Sequence, residues 1–65
     1  MRAYFYDSVD TISVAAQREG INQDLSYEKT GNRATAIGST HNIMRLIGAL
    51  ADDGNDSLMI VDGSF

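Results

Sequence analysis

The chain has 65 residues, 43% of them hydrophobic, with five Lys or Arg against nine Asp or Glu and no cysteine. That length fits one domain with a single core layer and leaves little room for a deep substrate pocket of ~300 Å³ or more. The missing cysteines exclude disulfides, zinc–thiolate sites and iron–sulfur clusters, and a net charge of −4 opposes gripping a phosphate backbone.

The same charge suits solubility, or docking onto a basic protein surface. A cysteine-free domain of this size fits a reducing, intracellular setting. The longest apolar run, Leu58-Met59-Ile60-Val61, is far shorter than the ~18 residues of a membrane span. No basic stretch leads into a long apolar one, so no signal peptide is expected and the protein is expected to be cytoplasmic. Asn55-Asp56-Ser57 fits the glycosylation sequon, but nothing else points to secretion.

Ala3-Tyr4-Phe5-Tyr6, bounded by Asp7-Ser8, reads as a first strand with apolar side chains on both faces and its aromatics in the core. A stacking platform for bases is the alternative, and the acidic balance argues against it. Val9 to Gly20 has two readings. Asp10 can cap a helix over Thr11 to Glu19, with Val9, Ile12 and Ala16 on one side and Gly20 as the stop. Thr11-Ile12-Ser13-Val14 also alternates like a strand, with Asp7 to Asp10 as a hairpin turn. Ala15 to Glu19 favour helix, so a short helix within 13–19 is preferred.

Leu25 to Lys29 and Arg33 to Ile37 flank Thr30-Gly31-Asn32 as a hairpin, with Gly31 or Asn32 at positive φ. Its sparse apolar content marks a sheet edge, and Lys29 and Arg33 bring a basic pair to its tip. Ser39 or Thr40 then caps a helix over about 40–52. Ile43, Met44, Ile47, Leu50 and Ala51 form its apolar stripe, widened by Leu46, with His41, Arg45 and Ala49 on the other side. Gly48 costs about 1 kcal/mol there, which close approach of another backbone would explain, as would plain neutrality. Gly54 or Asn55 supplies the left-handed cap. Ser57 to Asp62 is a final strand, apolar enough to sit centrally, and Gly63-Ser64-Phe65 is a fraying tail from which Phe65 can pack back.

The expected fold is therefore α+β: a small antiparallel or mixed sheet packed against one main amphipathic helix at about 40–52, with a second short helix within 10–19. If that second helix forms, the order is βαββαβ, the ferredoxin-like order. If 10–19 is a strand, the fold is a meander with one helix.

Catalytic chemistry finds no constellation. His41, the single histidine, sits at a helix start without a nucleophile context, and reads as a surface or capping residue. An EF-hand frame begun at Asp53 fails, because Leu58 stands where glycine is needed and Ser64 where glutamate is expected. No dinucleotide, Walker, zinc-finger or RNA-binding signature is present, so no catalytic, cofactor or metal site is assigned. What remains is acidity. From Ala34 onward Arg45 is the one basic residue, against Asp52, Asp53, Asp56 and Asp62, so this half carries −3 of the −4. Asp52 and Asp53 also sit at a helix C-terminus, where the macrodipole disfavours them by about 0.3–1 kcal/mol. These four aspartates are the candidate partner-binding patch; an ordinary solvated loop is the plain alternative.

The surface acids Asp7, Asp10, Asp24, Asp52, Asp53, Asp56 and Asp62, with the compact opening Tyr4-Phe5-Tyr6, give the chain the format of small acidic proteins of phages and mobile elements. In that format it resembles anti-CRISPR inhibitors. The resemblance implies a non-enzymatic inhibitor in the host cytoplasm. It would dock an acidic, DNA-mimicking surface on a CRISPR effector or another protein with a basic groove, without binding nucleic acid or membrane itself. The alternative is a structural or assembly module, a homodimer or antitoxin-like subunit, binding through its apolar helix face or a sheet edge.

Overall fold

The computed structural model describes residues 1–55 and the backbone of residues 58–62. Seven elements follow one another: β1 (Arg2–Phe5), α1 (Val9–Arg18), a one-turn 3-10 helix (Asn22–Asp24), β2 (Ser26–Thr30), β3 (Arg33–Ile37), α2 (Thr40–Asp52) and β4 (Leu58–Asp62). The strands form one sheet in the order β2-β3-β1-β4, every neighbouring pair antiparallel. This is the βαββαβ arrangement of ferredoxin-like folds, and the helical reading of the second segment is the one that holds.

Both helices are delimited by the same devices. Ser8 and Ser39 lie in extended backbone and accept the N–H of Thr11 and Asn42, each at 3.2 Å. The first helix is thus capped by Ser8, not Asp10, and begins at Val9; Asp10 falls in its first turn, where the macrodipole favours an acid. At the other ends Gly20 (φ 74°) and Gly54 (φ 77°) take the left-handed conformation. The N–H groups of Ile21 and Asn55 reach back to the carbonyls of Ala16 and Leu50, which closes a Schellman motif on each helix.

Strand register follows from the hairpin. Thr30 pairs with Arg33 across a two-residue turn whose first residue, Gly31, has φ 63°, as a type II′ turn requires. Tyr27 on β2 donates its hydroxyl to Asn22 Oδ1 at 2.7 Å, tying the 3-10 turn to the sheet, and partial burial pushes its phenol pKa up.

The core lies between the helices and one sheet face. Ala3 and Phe5 of β1, Ala34 and Ala36 of β3, Ile12, Ala15 and Ala16 of α1, and Ile43, Leu46, Ala49 and Leu50 of α2 are buried, joined by Ile21 and Leu25. Among the described residues, six of these thirteen core positions are alanine.

Three sequence expectations are corrected here. The buried arc of α2 is rotated by about a quarter turn: Ala49 is buried, whereas Met44 and Ala51 are exposed. The arc must face α1 as well as the sheet, and small Ala49 suits the helix contact. β4 is an edge strand rather than a central one, because β3 already has β2 and β1 on its two sides and the free edge of β1 is the one it takes. Tyr6 lies beyond β1 and is 55% exposed, so the aromatic core of the opening run is Phe5.

Candidate functional site

The three candidate acids within the described residues fall in two places. Asp53 closes α2 and accepts both terminal nitrogens of Arg18, the last residue of α1: Nη1 donates to Oδ1 at 2.9 Å, and Nη2 donates to Oδ2. The hydrogen bonds from Arg18 hold the Asp53 carboxyl below the usual aspartate range, and Asp53 in turn raises the guanidinium. The macrodipole penalty expected at this helix end is therefore offset by a cation from another helix. Asp52 is exposed beside it. Asp62 is the last residue of β4, in register with Arg2, whereas the strand leaves the α2 side at Leu58, in register with Phe5. At ~3.3 Å per residue, Asp62 lies ~13 Å along the strand from that entry. Asp56 and the tail 63–65 lie outside the described residues.

A second tie runs parallel to the first. Arg45 Nη2 donates to the Glu19 carbonyl at 2.9 Å and to its Oε1 at 3.3 Å. Arg18, Glu19, Ala49, Asp52 and Asp53 line a hollow of about 120 Å³ between the helices. Gln17, Gly20, Asn22 and Gln23 line another of about 200 Å³. Neither holds a nucleophile beside a base. His41 is exposed in the first turn of α2. Among the described residues no three His, Asp or Glu side chains converge as metal ligands, and no helix is long and apolar enough to cross a membrane.

Asp7 is not a plain surface acid. It is half-buried in the β1–α1 turn, with Oδ2 buried and no hydrogen-bond partner among the described residues. Its place just before the Ser8 cap sets it at the positive end of α1.

The sheet face away from the helices carries what the sequence reading missed. Alternation along β1 sends Ala3 and Phe5 into the core, which leaves Arg2, Tyr4 and the following Tyr6 on the opposite face. The Arg33 guanidinium stands 5.1 Å from the centre of the Tyr6 ring. Arg2 reaches over β3 to Glu28 of β2 at 3.1 Å, and Thr35, in register between Tyr4 and Glu28, is only 8% exposed. Lys29 pairs with Ala34 and Arg33 with Thr30, so the basic pair at the hairpin tip is split between the two faces. The period-two alternation of residues 2–6 was the available signal.

Comparison with known proteins finds no family model that matches the chain, and no curated protein or solved structure similar to it.

Proposed function

We propose that the chain is a non-enzymatic binding protein acting by protein–protein contact, with an anionic surface that docks on a basic groove of a nucleic-acid-handling complex. The observation that carries this reading is the state of the charges on the helix layer. Its two arginines, Arg18 and Arg45, are both engaged within the layer by Asp53 and Glu19. Asp10 and Asp52 on the helices, and Asp24 in the 3-10 turn after α1, stay exposed and, among the described residues, outside any ion pair. A surface whose cations are internally matched presents its surplus acids outward, which steers it toward basic partners.

The partner class is a guide-loaded CRISPR effector in the host cytoplasm, met in the manner of anti-CRISPR inhibitors that imitate the charge of DNA. Contact by charge and bulk needs no cofactor and no deep cavity. The test is a pull-down on purified effector complexes, washed at low and then high salt. Capture that high salt releases, and that Asp10→Lys, Asp24→Lys and Asp52→Lys together abolish, is the expected result. Unchanged capture by that triple variant would sink the assignment. Asp53 is left intact so that the tie to Arg18 is not broken at the same time.

A further inference from the structure

We infer that the open face of the sheet is the docking surface for a second copy of this chain. This goes beyond the anionic reading and does not rest on it. On β1–β3 the face presents Arg2, Tyr4, Tyr6, Arg33, Glu28 and Ile37, with Thr35 at its centre. Tyrosine and arginine are the side chains that dominate interface cores, because each offers a broad apolar body and a polar end.

The distribution of charge selects the occupant. The face bears charges of both signs, Arg2 and Arg33 with Glu28, so two copies related by a two-fold axis can set cation against carboxylate in both directions. Among the described side chains, the exposed acids Asp10 and Asp52 belong to the helices and Asp24 to the 3-10 turn that follows α1. Face-to-face pairing of sheets puts the two anionic layers outermost with both sheets between them. Stacked sheets alone lie ~10 Å apart, already beyond a Debye length of ~8 Å. Pairing through the helices would instead press like charges together. A nucleic acid is the poorer occupant: the carboxylate of Glu28 stands on the face beside the arginines, and the chain as a whole carries −4. Covering the open face would add a second buried layer to a chain of only 65 residues.

The test is sedimentation of the untagged full chain over a hundredfold range of concentration. The average mass should rise toward twice that of one chain. Tyr6→Glu and Arg33→Glu should each weaken association at least about tenfold while the circular dichroism spectrum is retained. Adding Glu28→Arg to Arg33→Glu should restore part of it. Amide spectra of the unaltered chain give a readout independent of any variant, with concentration-dependent shifts centred on Arg2, Tyr4, Thr35 and Ile37. A single-chain mass at every concentration overturns the proposal, as do shifts centred on Val14 and Met44 of the helices. So does an oligonucleotide that perturbs this face while the chain remains monomeric.

Discussion

Asp53, which closes α2, accepts both terminal nitrogens of Arg18, which ends α1, across 35 positions of sequence. The pair joins the two helices where neither strand pairing nor a loop does, and it turns the most conspicuous acid of the sequence into a structural one.

That role carries a pH signature. Arg18 holds the folded carboxyl below its ordinary value, so the stabilisation is complete above the unfolded pKa of about 3.9 and is lost as pH falls through the depressed folded value. In urea unfolding the native chain should be slightly more stable than Asp53→Asn at neutral pH. The gap should be steady down to about pH 5 and close in stronger acid. A gap that is the same at pH 6 and pH 2 contradicts the assignment.

Gly48 and Gly54 should respond in opposite directions to alanine. Among the described residues, a Cβ at Gly48 meets nothing within 4 Å, so neither close backbone approach nor a packing contact with them requires glycine there. Gly48→Ala should raise stability by about 1 kcal/mol through helix propensity. Gly54 has φ 77°, and Gly54→Ala should lower stability by about 1–2 kcal/mol. Thermal melts of the two variants beside the parent decide this.

The core should tolerate little truncation. Leu46 is fully buried, and Leu46→Ala should cost about 2–5 kcal/mol. That is comparable to the whole stability of a small domain, about 5 kcal/mol at the low end. Circular dichroism should find this variant largely unfolded at 37 °C, whereas Ile43→Val, at about 1 kcal/mol, should stay folded. A cooperative melt of Leu46→Ala close to the parent's would mean that the core is not where the structure puts it.

Much of the fold was legible because local chemistry marks it. Ser39 and Gly54 bracket α2, and Thr30-Gly31-Asn32 sets the hairpin. The start of α1 was obscured by Thr11, Ser13 and Val14, whose weak helix propensity is overridden by the burial of Ile12, Ala15 and Ala16. The face of α2 could not be read from periodicity alone, because Met44 and Ala49 exchange places once a second helix packs beside the sheet. The surroundings of the candidate acids were hidden in the same way. Asp52 and Asp53 are neighbours in sequence, but the cation that matches one of them comes from α1, and Asp62 sits at the other end of a strand. Pairing between distant segments, which decides all three, leaves no mark in a local window.

The central claim is that surplus acids on the helix layer take the place of nucleic acid on a basic partner. It is tested most directly by competition: purified guide-loaded CRISPR effectors with labelled target DNA, titrated with this chain at low and moderate salt. The account predicts displacement of the DNA that weakens as salt rises and is lost when Asp10, Asp24 and Asp52 are all changed to lysine. DNA that stays bound at saturating concentrations of the chain, or displacement indifferent to both salt and charge reversal, would contradict it.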